Sequence, residues 1–407
     1  MSARGAISAA TSGMASGALT DDGPAAAGRP GDEAARRPIR ELPERVAAQI
    51  AAGEVIERPA AVLKELLENA LDAGAGRISV EIAEAGRRRI AVHDDGRGIP
   101  APELLMAFRR HATSKLTRVD DLGRLESYGF RGEALPAIAA AAGRLRLTTR
   151  CADDPAASLI EFAHGVRSGP RPGARATGTS VEVFDLFAGQ PARRAFLAGA
   201  RAERAALVRA ASDVVLARPE RSLRLQIEGR TPLAHESHGS HESEGPRGPQ
   251  VAEGAALPEA ALREALASVF SQDAAERGIW FEARSERADL SLDGIAGAPD
   301  DARRTRERIR LFVNGRPVHD RRLSYAVQDA YRDWLDAGAF PLVVARLRLP
   351  PDAVDVNVHP AKTEVKLRDP DAAFSLVQRT IRESLAEGRA ARPLRLAARR
   401  RPRDEPE

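Results

Sequence analysis

Residues 58–98 read RPAAVLKELLENALDAGAGRISVEIAEAGRRRIAVHDDGRG. Pro59 suits the first turn of a helix and Gly74 the position just past its end. Between them Val62, Leu66, Leu67, Ala70 and Leu71 recur at helical spacing and form a core stripe. Ile78, Val80 and Ile82 then alternate with polar residues, as do Ile90 and Val92 after a turn at Gly86. The reading is a helix followed by a two-stranded hairpin whose second strand runs straight into Asp94-Asp95-Gly96-Arg97-Gly98. Further strands are expected at Leu145/Leu147 and Val181/Val183. This order predicts an α/β layer sandwich.

A second unit is expected from residue 219. Leu223, Leu225 and Ile227 alternate as a strand, and residues 235–254 read as a polar insertion. Leu262, Leu266, Val269 and Phe270 make a helix face. Ile309, Leu311 and Val313 lead into Asn314-Gly315, a strong hairpin-turn signal. Leu323, Val327, Ala330, Tyr331 and Trp334 form another helical stripe. Val354, Val356 and Val358 form a strand, and Phe374, Val377, Ile381 and Leu385 a last helix ending near Gly388. The expected organisation is a disordered Ala/Gly/Ser/Pro-rich extension over 1–38, an α/β domain over 39–218, a mixed α/β domain over 219–388, and a basic, disordered tail over 389–407.

Composition narrows the function classes. The chain has 407 residues, 43% hydrophobic and 29% charged, enough for two or three cored domains. Its one cysteine, Cys151, excludes an intrachain disulfide framework and a Cys-rich zinc site. The longest apolar run, Leu135 to Ala142, is far short of a membrane span, so no membrane partner is expected. No secretory signal pattern is visible, and a cytoplasmic, nucleoid-associated location is expected. The net charge of +4 is too mild to announce nucleic-acid binding alone. Four of the 62 basic residues are lysines (Lys64, Lys115, Lys362 and Lys366), which makes each lysine conspicuous. His235, His238 and His241 lie in a Gly/Ser/Glu-rich stretch that reads better as a solvated insert than as a zinc site.

The chemistry-bearing residues cluster early. Glu65 and Asn69 share one helix face, and Asp72 extends it. Taken alone, these three are a solvated face. Asp94, at a strand end, can accept a hydrogen bond from an exocyclic amine, and Gly96 and Gly98 let backbone approach a flat ring. His111-Ala112-Thr113-Ser114-Lys115 and Gly129-Phe130-Arg131-Gly132-Glu133-Ala134-Leu135 follow within forty residues. The second sets two glycines before a helix expected at Glu133–Ala142, whose first N–H groups can hold phosphate. Each segment alone is an ordinary polar loop; their order and spacing make the set improbable by chance.

The stretches IAAGEVIERPAAVLKELLENALDAGA, DDGRGI, RHATSK and GFRGEAL resemble the ATPase motifs of the MutL mismatch-repair family, within the GHKL superfamily. GTSVEVFDLFAGQPARRAFL, LFVNGRPVHDR and VDVNVHPAKTEVKL extend the resemblance over about residues 39–388. The resemblance implies a GHKL (Bergerat-type) ATPase α/β sandwich followed by a βαβ transducer domain of the ribosomal-protein-like type. It implies ATP and Mg2+ as ligands, with Glu65 as the general base and Asn69 as an oxygen ligand of Mg2+. Asp94 would read the adenine amine, with Gly98 beneath the base, Thr179 nearby and Gly96 also in the ATP site. Thr113, Ser114 and Lys115 would belong to a nucleotide lid, and Arg131, Gly132 and Glu133 would line the triphosphate. Lys362 would reach from the second domain to the γ-phosphate. Arg316 and Arg321 match positions associated with sequence-independent DNA contact. The implied role is an ATP-operated clamp of mismatch repair that self-associates on ATP binding. Its implied partners are a mismatch-recognition protein of the MutS type, DNA, and a downstream nuclease or helicase.

The chain departs from the family at Gly189-Gln190-Pro191-Ala192-Arg193, where Asn-Thr-Pro-Ala-Arg is usual. It stops nineteen residues after the transducer, which suggests a fragment or a gene without the C-terminal dimerisation domain. No Asp-Gln-His-Ala-x-x-Glu motif is found, so no endonuclease is expected in this chain. Two other outputs fit parts of the pattern: a non-hydrolysing ATP-switched scaffold, and a GHKL relative such as a sensor kinase or topoisomerase. The last two would need a phosphoacceptor helix or a strand-passage tyrosine domain.

Overall fold

The computed structural model describes residues 40, 41, 43, 52, 53, 55–115, 127–129, 131–237, 258–286, 288–355 and 365–390. The expectations for the 1–38 extension, for Val356, Val358 and Lys362, for His238 and His241, and for the tail beyond 390 lie outside these residues.

Helix α1 (Pro59–Asp72) begins with Pro59 in its first turn. It buries Val62, Leu63, Leu66, Leu67 and Ala70. It stops as its sequence foretells: Gly74 N–H returns to the Leu71 carbonyl at 2.9 Å and Ala75 N–H to Ala70 at 3.1 Å, a Schellman-type closure. Strands β1 (Arg77–Ala83) and β2 (Arg89–Asp94) form the expected antiparallel hairpin, with Val80 opposite Val92 and Ile78 opposite Asp94. Next come helix α2 (Ala134–Ala141) and strands β3 (Ala142–Arg150), β4 (Ala157–Ala163), β5 (Val166–Gly173) and β6 (Gly178–Leu186). Helices α3 (Pro191–Phe196) and α4 (Ala200–Ala217) lead to strands β7 (Ser222–Ile227) and β8 (Arg230–His235). The eight strands form one sheet in the order β5-β4-β3-β6-β2-β1-β7-β8. β1 pairs parallel to β7, and the other pairings are antiparallel.

A division at residue 218 therefore falls inside the first layer. Strands β7 and β8, together with helices α5 (Glu259–Val269) and α6 (Gln272–Arg277), add Leu223, Leu225, Leu233, Leu262 and Leu266 to the same core as α1 and β1. The polar insertion also begins later than 235. His235 ends β8, is buried, and makes hydrogen bonds through Nε2 to the Pro219 carbonyl (2.8 Å) and Nδ1 to the Ser268 hydroxyl (3.2 Å). It is a core residue of the strand rather than part of a solvated insert.

The second sheet is β9 (Ile279–Ser285), β10 (Leu290–Ala296), β11 (Ile309–Val313), β12 (Arg316–Val318) and β13 (Val343–Arg348). Their order is β12-β11-β13-β10-β9, with β11 parallel to β13 across helix α7 (Arg321–Ala330), a βαβ crossover. β14 (Val354–Asp355) pairs with β15 (Lys366–Leu367), and helix α8 (Pro370–Ala390) closes the layer. Leu311, Val313, Val343, Ala345 and Leu347 face α7 and α8. The alternate positions Ile295, Phe312 and Val344 join the first core, so the sheet is covered on both faces. Among the described residues no helix is long and apolar enough to cross a membrane.

Candidate functional site

Three strands end on one polar row. β2 and β6 set Asp94 opposite Thr179, and β3 and β6 set Thr149 opposite Thr179. Strand alternation puts these side chains on the helix-facing side, in line with Val92, Val181 and Leu147. All three are buried. Asp94 Oδ1 accepts the N–H groups of Gly96 (2.9 Å) and Thr179 (3.2 Å). Thr149 Oγ1 accepts from Ile99 N–H (2.8 Å) and lies 3.1 Å from Thr179 Oγ1. Burial pushes the Asp94 carboxyl up to about 6, partly offset by those two N–H donors. With Oδ1 occupied twice, Oδ2 is the oxygen left for a ligand.

Asp94 and Thr179 line a cleft of about 910 Å³, walled by α1, the strand ends and the start of α2. The cleft is also lined by Glu65, Asn69, Gly98, Thr113, Ser114, Lys115, Arg131, Gly132 and Glu133. The geometry thus brings together groups up to about 115 positions apart in the chain. Gly96 sits just behind, holding Asp94 through its N–H. Gly98 has φ +76, and a Cβ there would stand 2.3 Å from the Arg150 carbonyl oxygen, so no side chain fits. Gly132, at φ +63, would place a Cβ 2.3 Å from the Ala112 carbonyl and is held as tightly. Ala134 and Leu135, in the first turn of α2, line the cleft where helix N–H groups have no intrahelical partner.

Asp72 has a role its helix position did not disclose. Its Oδ1 accepts Tyr128 N–H (2.8 Å), and its Oδ2 accepts Gly129 N–H (3.0 Å) and pairs with the Lys115 ammonium. Lys115 Nζ also lies 3.4 Å from Asn69 Oδ1. Two further groups escaped the sequence reading. Thr149 carried a signal, a polar residue at an inward position after Leu145 and Leu147. Arg175 carried none: from a loop it donates to the Asp94 carbonyl oxygen (2.7 Å), and its charge pulls the Asp94 carboxyl down.

The two arginines expected to meet DNA part company. Arg321 is exposed at the start of α7. Arg316 is 5% exposed, and its guanidinium is committed to the carbonyls of Tyr128 (3.0 Å) and Ser127. It cannot meet a phosphate backbone without abandoning those bonds.

Two family models match the chain. Residues 57–158 match the histidine kinase-, DNA gyrase B- and HSP90-like ATPase model, and residues 266–386 match the C-terminal domain of DNA mismatch repair protein. The DNA mismatch repair protein MutL of Xylella fastidiosa is 41% identical over 356 residues, covering 88% of this chain and 54% of that protein. That of Bradyrhizobium diazoefficiens is 43% identical over 354 residues, covering 86% and 55%. The chain thus spans about half the length of the curated relatives it matches. Among solved structures, the N-terminal domain of a DNA repair protein superposes with a TM-score of 0.68 over 85% of this chain and 100% of that one; at 22% identity, that likeness concerns the fold. The Aquifex aeolicus MutL ATPase domain complexed with ADP superposes with a TM-score of 0.52 at 26% identity, over 73% of this chain and 94% of that one. With relatives this similar along most of its length, and family models matching residues 57–158 and 266–386, the chain belongs to the MutL family of DNA mismatch repair proteins.

Proposed function

We propose that this chain binds ATP in the cleft, hydrolyses it, and uses nucleotide occupancy to govern self-association and partner recruitment in mismatch repair. The observation that carries this reading is the cleft's polarity. Asp94, one carboxylate oxygen of which is held by two N–H groups, lines the same cleft as Glu65, Asn69 and the glycine-flanked start of α2.

Asp94 Oδ2 accepts the adenine amine, and the flat ring lies against Gly98, which lines the same cleft. Arg131, Gly132, Glu133 and the first N–H groups of α2 flank the phosphates. Glu65 accepts a proton from the attacking water as it adds to the γ-phosphorus and ADP leaves. Asn69 offers a neutral oxygen to Mg2+. The Asn69 oxygen already faces a cation, the Lys115 ammonium at 3.4 Å, and would suit a magnesium ion. When bound, that ion neutralises charge on the phosphates. Thr113, Ser114 and Lys115 close over the nucleotide, and an incoming phosphate competes with Asp72 for the Lys115 ammonium. Lys362, which lies outside the described residues, would contact the γ-phosphate and so distinguish ATP from ADP.

The mismatch-recognition protein, DNA held through phosphate contacts such as Arg321, and a downstream nuclease or helicase are the partners this switch would serve. The test is steady-state ATP turnover by purified protein and its Glu65→Ala variant. The variant is expected to bind ATP and lose turnover by 100-fold or more, on the order of a missing general base. Unchanged turnover removes Glu65 from the mechanism.

A further inference from the structure

Between the cleft and the second sheet lies a three-residue segment, Ser127–Gly129, whose two peptide groups are gripped from both sides. The N–H groups of Tyr128 and Gly129 point to the Asp72 carboxylate, at 2.8 and 3.0 Å. The carbonyls of Ser127 and Tyr128 accept from the Arg316 guanidinium. Each peptide is therefore strung between an anion on the cleft helix and a cation on the second sheet. Polarised this way, both hydrogen bonds of each string strengthen one another.

The Tyr128 side chain doubles the connection. It is 6% exposed and enters the Asn314-Gly315-Arg316 turn. Its hydroxyl donates to the Gly315 carbonyl (3.1 Å) and accepts from Arg218 Nε (2.8 Å). The guanidinium carbons of Arg218 and Arg316 both stand 5.5 Å from its ring centroid, within cation–π range. Arg218 closes α4 in the first layer, so the tyrosine is held by both layers at once. Tyr128 does not line the cleft, whereas Asp72, Asn69, Lys115 and Gly129 do.

We infer that Tyr128 and Arg316 are positioning residues: they couple the cleft to the second sheet by fixing the Ser127–Gly129 segment, so that the partner chosen by Lys115 and the position of the Asn314–Arg316 turn change together. This rests on the proposed nucleotide reading. Phosphate that draws Lys115 from Asp72 leaves that carboxylate's charge uncompensated and tightens its hold on the two N–H groups. The strain passes through the two peptides to Arg316. The β11–β12 turn is the element that receives it.

Amide hydrogen exchange over residues 309–318, measured on the full chain with and without a non-hydrolysable ATP analogue and Mg2+, reads the coupling directly. Wild-type protein is expected to show a nucleotide-dependent change there. Tyr128→Phe should reduce it about fivefold, the scale of one buried hydrogen bond. The same variant should lower kcat while leaving the KM for ATP within about twofold, a split that general destabilisation does not produce. Arg316→Met should abolish the response and Arg316→Lys should restore part of it. A full response in both Tyr128→Phe and Arg316→Met, or no response in a wild-type protein that binds the analogue, overturns the inference alone. Wild-type protein that binds no analogue overturns the nucleotide reading with it.

Discussion

Asp94 is stable only as a compromise. Its carboxyl is pushed up to about 6 by burial, from an ordinary value of 3.8. The folded state therefore holds a proton more readily than the unfolded chain between about pH 4 and 6. The cost of burying the charge is relieved as pH falls through that window and fully present above it. At neutral pH it amounts to about 3 kcal/mol. Asp94→Asn keeps a carbonyl oxygen for Gly96 and Thr179 but presents a donor where the amine needs an acceptor. The expected outcome is a ligand-free protein stabilised by up to that amount in urea unfolding, with ATP binding lost in calorimetric titration. In wild-type protein, ATP affinity is expected to fall as pH drops through 6, because Oδ2 then carries the proton. Arg175→Met removes a nearby cation that favours the carboxylate, so the midpoint of that profile should move to higher pH.

Helix α1 serves two masters. Its apolar stripe fixes it to the sheet, while Glu65, Asn69 and Asp72 face the cleft, and both sets follow one 3.6-residue period. Leu67 is fully buried in that stripe. Leu67→Ala is expected to cost about 2–5 kcal/mol in denaturant unfolding, the range for emptying a core site. This helix and the β1–β2 hairpin were legible because apolar residues recur at the helical period in the one and alternate with polar residues in the other. The strand β5 was not: it reads VRSGPRPG, its side chains are nearly all exposed, and it joins the edge of the sheet through backbone pairing. No hydrophobic alternation marks such a strand. The site was legible where loops carry distinctive glycines and acids, as at Asp94 to Gly98. It was silent at Arg175, whose role depends on a loop meeting the far end of β2.

At the scale of the molecule, charge is buried where the layers meet. Arg310 of β11 donates to Asp213 of α4 (2.8 Å), and burial outweighs Arg310's pull, leaving the Asp213 carboxyl raised. Asp293 pairs with Arg346 and Arg348 on the same sheet. Asp213→Asn leaves a buried guanidinium without its anion and is expected to cost about 3–5 kcal/mol in denaturant unfolding. Asp213→Leu combined with Arg310→Met should recover most of it. That junction was hidden from the sequence. The boundary expected at 218 ignored the parallel pairing of β1 with β7, which joins residues some 145 positions apart. Arg316 looked like a surface cation for the same reason: its carbonyl partners lie nearly 190 residues earlier. A single crystal structure of this chain with Mg2+ and a non-hydrolysable ATP analogue tests the central claim most directly. The account predicts the adenine amine within hydrogen-bond distance of Asp94 Oδ2 and a water between Glu65 and the γ-phosphate. An analogue bound elsewhere, or with its base turned away from Asp94, would contradict it.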